Sequence, residues 1–311
     1  MTSVLIFANK WWSYQRERFP LFAHAPLVAA FSFSALSYSS LLRGECDWPD
    51  PKAAVVAFIT ALLFFLQLRI ADEFKDFEED SRYRPYRPVP RGLVKLRELG
   101  FIGALSALTQ LVLALWLQPG LITLLLLTWS YLALMSHEFF ARDWLKARPI
   151  TYLWTHMLII PLVDFYATGC DWLAAGKPQP NGLHWFLLAS FTNGIVIEIG
   201  RKLRAPAAEE TGVQTYTVLW GPKSAVLAWL GAMIATAILA VLAAQKIAFA
   251  LPVFCLLSVL FVVAIFTSIK FLRQPEINSA KWFEAMSGVW TLVLYLSLGA
   301  IPMLEMAEAR L

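Results

Sequence analysis

"PKAAVVAFITALLFFLQLRIADEFKDFEEDSRYRPYRPVPRG", from Pro51 to Gly92, begins apolar and ends in a knot of charge. Its first part, to Leu68, is long enough for most of a bilayer-crossing helix, which takes about 20 apolar residues. Six acids then crowd together: Asp72, Glu73, Asp76, Glu78, Glu79 and Asp80. Four arginines follow, Arg82, Arg84, Arg87 and Arg91, punctuated by Pro85, Pro88 and Pro90. A span that leaves the membrane through carboxylates and then switches sign calls for a reason beyond stopping the helix.

Similar apolar runs recur along all 311 residues, of which 59% are hydrophobic and 15% charged. A soluble domain carries about 25% charged residues. The expected fold is all-α: a polytopic membrane protein, a bundle of nine transmembrane helices around a central cavity. The spans are placed at 21–42, 52–71, 98–117, 119–137, 150–168, 183–201, 223–244, 247–270 and 282–304. No loop is long enough for a separate soluble domain, so 1–311 reads as one transmembrane domain.

The opening "MTSVLIFANKWWSYQRERFP" lacks a small-residue cleavage site and is not expected to be a cleavable signal. Residues 1–20 read as an amphipathic segment lying on the cytoplasmic surface. Trp11, Trp12 and Tyr14 are expected at headgroup level beside Lys10, Arg16 and Arg18.

With the N-terminus inside, the 26 Lys and Arg fall inside except for Arg43, Lys52, Lys177, Lys246 and Arg310. This bias places the acidic stretch, "HEFFARDWLKARP" (137–149) and "EIGRKLRAPAAEETG" (198–212) on the cytoplasmic face. The chain is expected in a bacterial cytoplasmic membrane, with no nucleic-acid partner. Cys46 and Cys170 fall in outer loops, each in a Cys-Asp-Trp triplet. Whether they pair depends on whether those loops meet, which sequence leaves open. Cys255 is mid-span and expected to pack.

Asp72, Asp76 and Asp80 recur every fourth residue, so on a helix they share one face. Stacked carboxylates repel unless something cationic sits among them. Mg²⁺ takes one or two carboxylates and completes its shell with water and substrate phosphate. Glu73 and Glu79 flank that face. Arginine offers a planar fork of donors to phosphate oxygens. Metal-holding acids beside phosphate-holding arginines make a site for a metal-bound diphosphate. The plain alternative is a solvated helix end whose arginines only keep the loop inside.

The order "DEFKDFEED" then "RPYRPVPRG" resembles the first signature of the UbiA superfamily of intramembrane prenyltransferases. That signature runs Asn-Asp-x-x-Asp-x-x-x-Asp, followed by Arg-Pro and a glycine. Asp72 takes the Asn position and Glu73 the first Asp position. Asp76, Asp80, Arg87-Pro88 and Gly92 match directly. The span count and the place of the motif after the second span also resemble the family.

The second signature is altered. "GVQTYTVLWG" (212–221) resembles its ending, with Gly212, Thr215 and Gly221. Counted back from Gly212, Arg204 and Ala208 stand where aspartates belong. Counted from the membrane, Glu198 is the first acid, but Lys202 stands four residues on. Either Glu198 with Glu209 or Glu210 holds a second Mg²⁺, or Arg201, Lys202 and Arg204 bind the diphosphate themselves. A mixture is favoured, with Glu198 a ligand and at least one cation on phosphate. The bland alternative is that these cations only obey the positive-inside rule.

Lys146 matches the family's Leu-Lys in the third inner loop, and Arg142 and Arg148 join that rim. His137 and Glu138 lie at its membrane border, where a lone histidine is more often structural. Tyr152, His156 and Asn193 are candidates for contacting an acceptor, or for ordinary interhelical hydrogen bonds. Asp164 reads as interfacial.

The resemblance thus implies Mg²⁺-dependent transfer of an isoprenyl group from a prenyl diphosphate to a lipophilic acceptor in the bilayer. The implied metal ligands are Asp72, Glu73, Asp76, Asp80, Glu198 and Glu209. The diphosphate contacts are Arg82, Arg84, Arg87, Arg91, Lys146, Arg201, Lys202 and Arg204. Two other readings stay open: a terpene cyclase using the same ionisation, and a non-catalytic lipid carrier on the same scaffold.

Overall fold

The computed structural model of the chain describes residues 2–308, with side chains described from residue 9 to 306 and at Glu308. Arg310 lies outside the described residues. In chain order the helices are α1 (Thr2–Arg18), α2 (Leu21–Leu42), α3 (Pro51–Lys75), α4 (Phe77–Tyr83), α5 (Leu96–Leu117), α6 (Leu121–Ser136), α7 (Arg142–Lys146) and α8 (Pro149–Met157). Then come α9 (Ile159–Trp172), α10 (Leu183–Arg201), α11 (Tyr216–Gln245), α12 (Ala250–Arg273), α13 (Ile277–Leu298) and α14 (Ala300–Glu308).

Helix is the one open-ended element that satisfies its own backbone in hydrocarbon. Among the described residues, eight helical stretches are long and apolar enough to cross a membrane. α8 with α9 forms one of them, and α13 with α14 another. The expected fourth span is the exception. α6 has 16 residues, roughly 24 Å of helix against a hydrocarbon core of about 30 Å. The expected count of nine is therefore eight full-length spans and one short apolar helix.

Local chemistry explains the breaks. Asp50 accepts from the Ala53 amide and Pro51 takes the first helical position, which starts α3. Thr215 accepts from the Val218 amide at 3.2 Å and starts α11. Pro161 has no amide proton for the Met157 carbonyl, and the chain breaks between α8 and α9 at Leu158. Gly221, at φ 78°, kinks α11 just before Pro222.

α2 runs through the middle, packed on α3, α9 and α13. Its buried serines, Ser32, Ser34, Ser37, Ser39 and Ser40, are small enough for backbones to approach closely. At Gly299 a Cβ would lie 2.3 Å from the Ser34 carbonyl oxygen, so only glycine fits. α12 is the opposite case. Phe254, Val259, Val262 and Phe266 are exposed along it, as suits a lipid-facing helix. Cys255 is exposed there too, not packed.

Three other expectations change. Cys170 is fully buried within α9, and Cys46 contacts the Met306 sulfur, so neither cysteine is paired. Asp164 is fully buried between helices, bonded by the Ser190 hydroxyl and by the Tyr295 hydroxyl at 2.9 Å. α1 is not simply laid on the surface. Tyr14 is buried against Ile70, Val89, Val94 and Leu99, and Lys10 pairs with Glu98 at 2.6 Å.

Candidate active site

The acidic end of α3 meets the ends of α8 and α10 at one level of the bundle. The helix turns at Asp76, whose φ of −96° and ψ of 5° leave the regular α region. The hydrogen-bond ladder survives the turn: the Asp76 amide donates to the Asp72 carbonyl at 2.9 Å, and the Asp80 amide to Asp76 at 2.8 Å. The side chains, however, part company. Asp80 is buried under the arginine loop, with Arg87 at 2.6 Å and Arg84 at 2.8 Å from its carboxylate oxygens. Glu73, also buried, pairs with Arg18 of α1 and lies 3.7 Å from Arg69.

The expected stack of three metal-holding aspartates is therefore not assembled. Among the described residues no three His, Cys, Asp or Glu side chains come together as a metal site. The physical reason is the turn at Asp76, which sends Asp80 to the guanidinium groups of its own loop. Asp72 and Asp76 remain. Asp72 is about one-third exposed, 3.0 Å from Arg69 and 3.4 Å from Lys75. Asp76 makes no ion pair or side-chain hydrogen bond among the described residues. Burial, reinforced by Asp72 and Asp80, pushes its carboxyl above the usual range, with Lys75 opposing. Two carboxylates one turn apart, one of them unpaired, fit a single Mg²⁺ with open positions.

Lys75 is the residue that sequence reasoning passed over. Its ammonium donates to the Tyr152 hydroxyl at 3.0 Å and lies 3.4 Å from Asp72 and 3.9 Å from Glu138. The signal was available: Lys75 sits three residues after Asp72, on the same helical face. Glu138 is held there by an unusual backbone. Glu138, Phe139 and Phe140 all take positive φ, 50°, 53° and 58°. Each left-handed non-glycine residue costs about 1–2 kcal/mol, and such strain gathers at functional sites.

Tyr152 thus belongs to the acidic pocket, stacked on His156 with ring centroids 3.8 Å apart. His156 Nδ1 is tied to the Tyr152 carbonyl at 2.8 Å, and its Nε2 is buried without a hydrogen-bond partner among the described residues. Asn193 is buried between helices, its Oδ1 accepting from Thr291 at 3.1 Å and its Nδ2 without a partner among the described residues.

The remaining expected residues divide by partner. Lys146 pairs with Glu79, with Arg142 at 3.6 Å, which closes the 137–149 loop over α4. The Lys146 hydrogen bond holds the Glu79 carboxyl below the usual range. Arg91 binds Glu17 at 2.9 Å, away from Asp72. Arg82 is exposed over the Tyr83 ring. Arg204 pairs with Glu210 at 3.4 Å, and Tyr86 reaches the same carboxylate at 3.0 Å. Glu209 accepts from the Thr215 and Thr217 hydroxyls at 2.7 and 2.6 Å, not beside Glu198. Arg201 and Lys202 both lie 2.7 Å from Glu198. Asp72 and Arg201 are close enough to act on each other electrostatically.

An apolar recess of about 300 Å³ opens between α3, α5 and α6. Gln67, Ile70, Ala71, Trp129 and Leu132 line it.

Comparison with known proteins closes the case for the fold. No curated protein sequence matches the chain. A UbiA homologue from Aeropyrum pernix K1, in its apo form, superposes with a TM-score of 0.67 at 13% identity, over 87% of this chain and 96% of that one. A digeranylgeranylglyceryl phosphate synthase structure gives 0.61 at 16% identity, over 94% and 99%. A UbiA homologue from Archaeoglobus fulgidus bound to DMAPP and Mg²⁺ gives 0.53 at 12% identity, over 88% and 97%. The family model for the UbiA prenyltransferase family matches residues 32–297, and the chain belongs to that family.

Proposed function

We propose that the chain transfers an isoprenyl group from a prenyl diphosphate to a lipophilic acceptor within the membrane, from the cytoplasmic face. The observation that carries this is the meeting of Asp72 and Asp76, carboxylates fit for one Mg²⁺, with the Lys75 and Arg201 cations at one mouth of an apolar bundle. The solved neighbour bound to DMAPP and Mg²⁺ supports the substrate class.

Asp72 and Asp76 would hold Mg²⁺, which when bound neutralises diphosphate oxygens and improves the leaving group. Lys75 and Arg201 stabilise the charge that grows on the diphosphate as the allylic C–O bond breaks. Arg84 and Arg87, fixed on Asp80, frame the loop beside it. The recess between α3, α5 and α6 is an apolar place on the bundle that would suit an isoprenoid tail. The allylic cation is then captured by a nucleophilic carbon or oxygen of the acceptor, which gives up a proton, while the diphosphate departs.

The test is product analysis. Purified chain with Mg²⁺, a labelled prenyl diphosphate and a panel of lipophilic acceptors should give a prenylated acceptor. A hydrocarbon or terpene alcohol formed without acceptor would replace transfer with cyclisation. Unchanged substrate would leave a lipid carrier.

A further inference from the structure

The Glu198 side of the pocket is where the family pattern and this chain part. A divalent ion needs open carboxylate oxygens there, and both are taken. Lys202 Nζ lies 2.7 Å from Oε1. Arg201 gives Nη2 at 2.7 Å and Nε at 2.8 Å to Oε2. Asp72 acts on Arg201 electrostatically but is itself paired with Arg69 and Lys75. Glu209 is occupied by Thr215 and Thr217, and Glu210 by Arg204 and Tyr86. The residue one turn beyond Glu198 is Lys202 itself. Asp72 is also paired with two cations, but Asp76 one turn on offers carboxylate oxygens free of any ion pair among the described residues; Glu198 has Lys202 in that place, so these residues do not fit a metal.

They do fit an anion. The Glu198 side chain is 10% exposed, whereas Arg201 is 47% and Lys202 33% exposed. The carboxylate sits behind and its two cations stand in front. Arg201 spends Nε and Nη2 on Glu198, which leaves Nη1 for a phosphate oxygen. Lys202 is steadied at its other side by the Tyr216 ring, 5.8 Å from Nζ to centroid.

We propose that this chain grips the diphosphate with one divalent cation, at Asp72 and Asp76, and with Arg201 and Lys202 in place of a second. Glu198 is then a positioning residue that orients both cations, not a metal ligand. The inference rests on the prenyl-diphosphate reading above.

The experiment counts Mn²⁺ by electron paramagnetic resonance on the full chain in nanodiscs, titrated with inorganic pyrophosphate. One Mn²⁺ per chain is expected, and Glu198→Gln should keep that count. Arg201→Ala with Lys202→Ala should raise the pyrophosphate Kd about ten-fold or more, with the Mn²⁺ count unchanged. That variant strands Glu198, so Lys202→Gln, which leaves Arg201 in place, carries the same test with a loss of about five-fold. Two Mn²⁺ per chain, loss of one Mn²⁺ in Glu198→Gln, or an unchanged Kd in the folded cation variants overturns the inference and leaves prenyl transfer standing. Absence of both Mn²⁺ and pyrophosphate binding in the parent overturns both.

Discussion

Arg18 on α1 reaches the acidic motif from outside it, and its removal should be felt there. Its side chain is 9% exposed and pairs with Glu73, which is 1% exposed. It also lies 4.0 Å from Asp80. Breaking a buried pair by deleting one partner costs about 3–5 kcal/mol, because the other charge stays buried. Here Arg69 remains 3.7 Å from Glu73 and Arg84 and Arg87 remain on Asp80. That partial cover puts Arg18→Ala at the lower end, about 3 kcal/mol, or roughly a 150-fold change in the unfolding equilibrium. Equilibrium unfolding in mixed micelles, followed by tryptophan fluorescence, reads this directly. Glu73→Gln added to Arg18→Ala should recover part of the loss, since it neutralises the stranded acid. A coupling energy above about 1.5 kcal/mol is expected from the full cycle. An Arg18→Ala protein within about 0.5 kcal/mol of the parent, or a coupling near zero, would refute the claim that α1 clamps the motif.

Other perturbations are as sharp. Gly299→Ala sets a Cβ 2.3 Å from the Ser34 carbonyl oxygen; because backbone must move, destabilisation of at least about 3 kcal/mol is expected by the same unfolding assay. Lys75→Met removes the cation among Asp72, Glu138 and Tyr152. It should lower kcat by about 100-fold, and Lys75→Arg should not restore it, because a planar fork does not fit a point-charge position. Chelation with EDTA should stop diphosphate release and added Mg²⁺ should restore it. The unfolding midpoint should barely move, since Arg69 and Lys75 already meet the charge of Asp72.

The helices were legible because hydrocarbon leaves the backbone no alternative, and α3, α10 and α12 fall close to where hydropathy places them. The length of α6 was not, because an apolar run into "SHEFF" hides a left-handed turn of ordinary residues. The acids of the motif were legible as a group, but not their division. Spacing put Asp80 on the face of Asp72, while the turn at Asp76 and the arginine loop gave it to Arg84 and Arg87. The pairing of Arg18 could not be read, since its partner Glu73 is 55 residues away. The alteration of the second motif was legible in the spacing: Lys202, four residues after Glu198, pairs with it at 2.7 Å.

Asp76 is the most direct test of prenyl-diphosphate chemistry at this site. It makes no ion pair among the described residues, so Asp76→Ala strands no partner and should fold like the parent. Diphosphate release from a labelled prenyl diphosphate with Mg²⁺ should fall by more than about 100-fold in that variant. Full turnover by folded Asp76→Ala would contradict the proposed site.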